Sequence, residues 1–464
     1  MRRAGVVLAA LGIAVLALTW ATVATSRSWP ATFERHLLLY VCAGAAWAIA
    51  LLLLPRLPRG RGQLGWVLVI SVGLRLIAWR APPAHSDDVY RYLWDGRVQR
   101  AGINPYRYPP AAPELASLRD ANWARINNRD LPTVYPPAAE LLFRVAAYLP
   151  LAPLVAWRLV VAGFDLGLVV LLMVWLGRRG GDPRRALAWG WSPLAAIELG
   201  QNAHADAAGI ALLVAALVAC ELERRRGLLA GALLALSSLV KPLGAVLIVA
   251  LRSRRAAIAF VLVALLCAAP YLGAGRALSG SAGEYGRRWR ANDGAFALFY
   301  DASAALVGHT RFRARFAPAS PRLARLITGR DRDQVYPDEA ANFLARAAAF
   351  ALFLLAVGLA IARRMTPLAV CEVTLGAFLL LTPALHPWYV LWILPLLAPG
   401  AIAGPAWLVL ATLAPLGYLP LAAFRAGHPW HDPIWTRALE HGLSWLLIVL
   451  CLTRRRRPVI SSDR

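Results

Sequence analysis

The sequence predicts an all-α, polytopic membrane protein, and three observations carry that prediction. Of 464 residues, 59% are hydrophobic and only 16% charged, with a mean hydropathy of +0.54, well above the apolar share of soluble domains. The apolar residues arrive in long unbroken runs, which argue for buried or membrane-spanning helices and against alternating strands. Clusters of arginine separate the runs, the pattern by which positive charge orients a chain across a bilayer. Disordered chains, secreted disulfide scaffolds and ordinary soluble enzymes are excluded on the same grounds.

The formal charge is +25, from 50 basic and 25 acidic residues, and Lys241 is the sole lysine. Because the arginines sit between apolar runs, membrane orientation accounts for them and no nucleic-acid partner is expected. The five cysteines, Cys42, Cys220, Cys267, Cys371 and Cys451, all lie within apolar runs at unrelated spacings. They read as small buried hydrophobes, not as a metal cage or a disulfide framework.

A helix needs roughly 20 apolar residues to cross the hydrocarbon layer. Crossings are expected near 5–25, 37–54, 63–79, 153–177, 186–201, 204–220, 255–273, 341–362, 366–384, 388–400, 403–423 and 438–453. The first resembles a signal peptide but is long and lacks a clear cleavage site, so it reads as a retained helix. The run 228–251 is interrupted by Lys241 and Pro242, and predicts a re-entrant hairpin or two short helices buried in the bundle. One membrane domain over 1–453 and a basic tail over 454–464 complete the chain. Arg56, Arg59 and Arg61, Arg178 to Arg185, Arg224 to Arg226, Arg252 to Arg255, Arg363 and Arg364, and Arg454 to Arg457 fall on alternate connections. They place one face, with both termini, in the cytoplasm, and leave long outer loops at about 80–152 and 274–340.

The first outer loop holds the densest chemistry. From His85 to Gly96 it reads HSDDVYRYLWDG, with Ser86 as the expected N-cap of a helix running to Gly102 and Asn104–Pro105 as its stop. On that helix Asp87, Arg91, Asp95 and Gln99 recur every four residues and share one stripe. Asp88 projects about 100° away from Asp87, so the two carboxylates face different surroundings. Acids in a first turn also complement the helix dipole, and an Asp–Arg–Asp ladder is ordinary helix support. Tyr90, Tyr92, Trp94, Tyr106 and Tyr108 surround the acids. Aromatic rings beside carboxylates and arginines suit a sugar and a phosphate, or an interfacial belt.

The run from Asp87 through Asp95–Gly96, then Gly102 to Tyr106, then Thr133-Val134-Tyr135-Pro136-Pro137, resembles the first luminal loop of GPI mannosyltransferase I catalytic subunits. It resembles the bacterial family 87 glycosyltransferases more closely, and both belong to the GT-C superfamily. The resemblance implies a multi-helix enzyme that takes a hexose, by expectation mannose, from a polyprenyl-phosphate carrier and passes it to an extracytoplasmic glycan or lipid acceptor. The eukaryotic pattern has an Asp-x-Asp pair, whereas Val89 stands here where the second acid would fall. No cofactor is certain on this reading, and a divalent cation, Mg or Mn, is a candidate. The resemblance also implies the inner cell membrane as the location, membrane lipids as partners, and a site on the extracytoplasmic face.

Such a transfer needs a base for the acceptor hydroxyl and positive charge for the leaving phosphate. A positioned carboxylate contributes about 10²–10⁴-fold, best when its pKa is raised; Asp87 is the first choice for the base and Asp88 the second, or a ligand for metal or substrate. Single displacement at the anomeric carbon implies inversion. Tyr90, Arg91, Asp95 and Tyr135 are expected to line the substrate. Lys241, an ionisable residue inside an apolar run, is the candidate phosphate partner, or a lysine pairing with a buried acid. Glu198, Gln201 and Asn202 share a helical face and resemble a polar block of family 87 enzymes, suited to sugar hydroxyls or to a satisfied tight turn. His204 and Asp206 alone are too few for zinc. His386, before Pro387-Trp388-Tyr389, is a candidate substrate contact, and His428 to His431 an interfacial anchor. Arg287, Arg288, Arg290, Arg311, Arg313 and Arg315 in the second outer loop suit phosphate oxygens or headgroups. The competing classes are a lipid-linked-sugar flippase or transporter, which often shows paired broken helices, and an O-antigen polymerase or ligase using a diphosphate donor.

Overall fold

The computed structural model describes residues 2–29, 31–60, 62–222, 227–308, 321–329 and 335–455. Arg61, Arg224, Arg225, Arg226, Arg311, Arg313, Arg315, Arg456 and Arg457 lie outside the described residues, as does the tail from 456 onward. The described chain is helical, and its one β-bridge joins Ala291 to Ala384.

Among the described residues eight helices are long and apolar enough to cross a membrane. They are Gly5–Thr25, Phe33–Arg56, Gly62–Trp79, Pro153–Arg178, Arg254–Arg288, Pro337–Ala362, Gly404–Arg425 and Ile434–Thr453. The protein is an all-α polytopic membrane protein. Four of the twelve expected crossings are shorter or broken, and proline breaks two of them. Pro193 cannot donate to a preceding turn, and Ser192 caps the Ala195 N–H instead at 3.2 Å. The stretch 186–201 therefore divides into Leu187–Gly190, Pro193–Ala195 and a π-helical turn, Ala196–Gln201. Pro387 and Pro395 likewise divide 388–400 into 3₁₀ turns, Pro387–Trp392 and Leu394–Leu397. Asp206–Leu222 and Pro367–Leu381 are 17 and 15 residues long. The run 228–251 takes the two-short-helix form: Leu228–Ser238 ends before Lys241, and Pro242–Gly244 and Leu247–Leu251 follow it.

The chain divides into two compact units, each assembled from separated segments. One comprises Met1–Ala81, Val169–Ile197 and His386–Arg464. Here arginine works as a backbone clamp. Arg184 donates to Asp182 at 2.6 Å, Gln63 Oε1 at 2.5 Å and the carbonyls of Leu57 and Pro58 at 3.0 Å, closing the connection before Gly62–Trp79. Arg75, buried within that crossing, donates to the Gly190 carbonyl. A β-carbon on Gly190 would stand 2.2 Å from Ser71 Oγ, so only glycine lets the broken segment approach this closely.

The other unit comprises Pro82–Leu168 and Glu198–Leu385. Its first long segment, expected as an outer loop, is not irregular. Asp88–Arg100 packs against Pro137–Tyr148, with Gly96 at the crossing, where a β-carbon would come within 2.5 Å of the Phe143 carbonyl. The N–H groups of Ala138 and Ala139, orphans of a helix N-terminus, both donate to the Leu239 carbonyl at 3.0 and 3.1 Å. The chain break beside Lys241 thereby anchors the second of these helices. Asp206–Leu222 packs against Leu228–Ser238, which packs on Arg254–Ala268; Gly294–Gly308 lies on Pro337–Ala362.

Candidate active site

The helix Asp88–Arg100 begins one residue later than a Ser86 cap would place it. Asp87 occupies the N-cap position, and Ser86 Oγ accepts the Asp88 N–H at 3.2 Å. It also ends earlier, at Arg100, with Gly102 in the left-handed region at φ 78°. Its first turn presents Asp88 to residues that arrive from the irregular segment Glu198 to Asp206. Asp88 Oδ2 lies 3.9 Å from His204 Nδ1, and Glu198 Oε2 lies 3.5 Å from His204 Nε2. Lys241 Nζ meets Asp206 Oδ1 at 2.6 Å. Burial pushes the Asp88 carboxyl above its ordinary value; His204 and Lys241 oppose that rise, and Asp206 and Asp87 add to it. Four titratable positions thus converge on one carboxyl that is still 27% exposed.

The local chain is built for this. The π-turn Ala196–Gln201, a form that recurs at functional sites, is followed by Ala203 at φ 56°, a region alanine rarely occupies. Two neighbours on Pro153–Arg178 hold the strained turn: Trp157 Nε1 donates to the Ala203 carbonyl and Arg158 to the Gln201 carbonyl, each at 2.7 Å. Gln201 Nε2 donates to the Pro82 carbonyl at 3.0 Å, and Asn202 Oδ1 accepts from the N–H groups of Ala84 and His85 at 3.1 and 3.3 Å. Asn202 Nδ2 reaches Glu198 Oε2 at 3.0 Å and His85 Nδ1 at 3.2 Å. Glu198, Gln201 and Asn202 are brought together with Asp88, and their polar atoms brace the segment that leads into it.

Tyr92, one turn past Asp88, stacks on Phe143 at 4.8 Å and meets Tyr135 and Trp157 edge-on at 5.0 and 5.5 Å. Its hydroxyl lies 3.5 Å from His204 Nδ1. Tyr135 therefore joins the site through Tyr92. Tyr90 carries the Arg125 guanidinium over its ring at 4.1 Å.

Arg91 and Asp95 belong to a separate buried knot. Arg91 Nε donates to both Asp95 oxygens at 2.9 and 3.0 Å, and its Nη1 to the Leu131 carbonyl at 3.0 Å. Glu140 accepts from Thr133 at 2.6 Å and from Gln99 at 2.8 Å, and Tyr271 donates to Gln99 Oε1 at 2.8 Å. Burial first and the Asp95 charge second push Glu140 well above the usual carboxylate range, so Glu140 is the partner that keeps the proton and donates it to Asp95. The stripe Asp87, Arg91, Asp95, Gln99 thus divides after its first member.

His386 lies in the other unit, its ring stacked on Trp388 at 4.4 Å and edge-on to Tyr389 at 5.2 Å. Among the described residues no three His, Cys, Asp or Glu side chains are placed to hold a metal ion. Asp88 and Asp206 are instead matched by His204 and Lys241.

His204 and Asp206, which sequence reasoning weighs only as an incomplete zinc set, prove central. Glu140 and Arg158 carry no expectation from sequence. A lone acid in the apolar stretch around Glu140 is the signal that could have found the first.

A family model described as "Alpha-(1->6)-mannopyranosyltransferase, N-terminal domain" matches residues 1–257, and one described as "MptB C-terminal domain" matches residues 304–433. No curated protein and no solved structure matches the chain.

Proposed function

The chain belongs to the alpha-(1->6)-mannopyranosyltransferase family, and we propose that it moves mannose from a polyprenyl-phosphate carrier to an extracytoplasmic glycan or lipid acceptor with inversion at the anomeric carbon. It is a membrane glycosyltransferase; the donor, the acceptor's side of the membrane and the base are what is proposed. The observation that carries the site is the convergence of Asp88, His204, Asp206 and Lys241 on the first turn of one helix.

In the proposed reaction the acceptor hydroxyl oxygen attacks the anomeric carbon as the bond from that carbon to the phosphate oxygen breaks. The proton of the hydroxyl passes to the Asp88 carboxylate, and the electron pair of the broken bond leaves with polyprenyl phosphate. Its raised pKa suits the Asp88 carboxylate to accept a proton, so Asp88 takes the role for which sequence alone favours Asp87. His204, held by Glu198, fixes the far side of that carboxylate. Lys241, tethered to Asp206, supplies positive charge for the leaving phosphate. Gln201, Asn202 and Arg158 position the turn. Orientation follows from the arginine clusters, which support cytoplasmic termini and a site on the opposite face of the inner membrane.

The full chain in nanodiscs, given labelled polyprenyl-phospho-mannose and a mannan acceptor, tests this. Transfer with release of polyprenyl phosphate is expected, and Asp88→Asn should lower kcat/KM by about 10²–10⁴-fold. Loss of transfer in Asp87→Asn with Asp88→Asn unaffected would return the base to Asp87. Transfer from a nucleotide-linked mannose alone would overturn the donor.

A further inference from the structure

The helix pair Asp88–Arg100 and Pro137–Tyr148 lines a cavity of about 430 Å³. It falls within the size range of ligand pockets. Eleven of its fifteen lining residues are apolar or aromatic, among them Leu93, Trp94, Leu118 and Leu151. Its four polar residues are Arg97, Arg100, Asp120 and Asn122. Leu151 and Pro153 bring the cavity to the start of the crossing Pro153–Arg178, and the apolar surface continues there through exposed Val145, Tyr148 and Val155. The cavity thus adjoins the first residues of a helix long and apolar enough to cross a membrane. Two exposed arginines line it: Arg97, ion-paired with Asp120 at 2.7 Å, and Arg100, with Nη1 on the Ala147 carbonyl. One acid faces two cations.

The geometry points to a binding site for an anionic phospholipid, one acyl chain filling the cavity and the phosphate seated on Arg97 and Arg100. An apolar interior lined also by cations, placed beside a candidate crossing, complements that molecule at both ends. A glycan fits less well. The rings of Tyr92, Phe143 and Trp157 face one another at 4.8 to 5.5 Å and do not offer open faces to a sugar. Nor is this the donor's reacting phosphate. At about 1.5 Å of rise per residue, Arg97 and Arg100 stand about 14 and 18 Å along the helix from Asp88. One sugar–phosphate bond does not span base and cation so far apart. That last exclusion rests on the assignment of Asp88, whereas the lipid site itself does not.

Trp94 lines the cavity and reports on it. The full chain is placed in nanodiscs carrying a minor fraction of dibrominated phosphatidylglycerol or dibrominated phosphatidylcholine, without sugar substrates. Subtracting the emission of Trp94→Phe isolates the Trp94 signal. Quenching by the anionic lipid should exceed that by the zwitterionic one about fivefold. Arg97→Gln/Arg100→Gln should equalise the two, and Arg97→Lys/Arg100→Lys, which keeps the charge, should preserve the preference. Equal quenching in the unmodified chain, or an unchanged preference in the glutamine variant, would overturn the site. Relief of quenching by a soluble mannan oligosaccharide would assign the cavity to the acceptor instead. Because no transfer is measured, a failure here leaves the reaction untouched.

Discussion

Asp88 holds a carboxyl whose proton affinity burial raises, while His204 and Lys241 restrain the rise. As the base it must be ionised, so kcat/KM should fall as pH drops through its raised pKa, with a midpoint above the ordinary value of 3.8. Lys241→Gln removes one restraint. The acid limb of the pH profile should then move to higher pH, in addition to a loss of kcat from the missing phosphate partner; a limb that moves down, or stays, argues against Asp88. Glu140 makes a different prediction. Its folded pKa lies well above 4.5, so its contribution to stability is complete below about that pH and is lost as pH rises through the folded value. Glu140→Gln keeps a neutral group in the knot and should flatten the dependence of Tm on pH while costing no more than about 1 kcal/mol near neutrality. Glu140→Ala leaves Asp95, Thr133 and Gln99 short of partners and should cost about 3 kcal/mol by the same measurement. Asp87, Asp88, Glu198 and Lys241 are legible in the sequence because each breaks an apolar pattern or stands at a helix start. Glu140 also interrupts an apolar stretch, but its role depends on Asp95 and Thr133 arriving from elsewhere in the chain.

Helix Asp88–Arg100 illustrates what a single stretch of sequence can and cannot specify. Its existence follows from the Ser–Asp–Asp start, but the division of its acids between two environments follows from its partner helix. Arg91 and Asp95 read as substrate-facing only until Pro137–Tyr148 supplies Glu140 behind them. The contact between the two helices is set by Gly96. A methyl there usually gains up to about 1 kcal/mol in a helix, yet here it would meet the Phe143 carbonyl at 2.5 Å. Gly96→Ala should therefore lower Tm, by the equivalent of about 1–3 kcal/mol. It should also raise KM as Tyr92 loses its stack on Phe143. A stabilised variant would mean that the helices are free to separate. The segment 228–251 shows the opposite case. Lys241–Pro242 announces a broken helix, yet only the fold shows why the break matters: the Leu239 carbonyl caps Pro137–Tyr148, and Lys241 reaches Asp206.

At the scale of the whole chain, composition alone settles the class: with 59% hydrophobic residues and 50 basic residues concentrated between apolar runs, a helical membrane protein is the consistent solution. Hydropathy does not register how Pro193, Pro387 and Pro395 divide an apolar run into short helical pieces. The surviving charge pattern makes one topological commitment. Arg59, with 67% of its side chain exposed, sits in an arginine-rich connection, and Ala101 is exposed in the first long loop. In a chain whose five cysteines are replaced by serine, Ala101→Cys should react with a membrane-impermeant maleimide in intact cells. Arg59→Cys should react only after the membrane is permeabilised. A single candidate crossing, Gly62–Trp79, separates the two along the chain, so labelling of both from outside would remove that crossing. Labelling in the reverse order would place Asp88 in the cytoplasm, where a donor presented at the outer surface could not meet it.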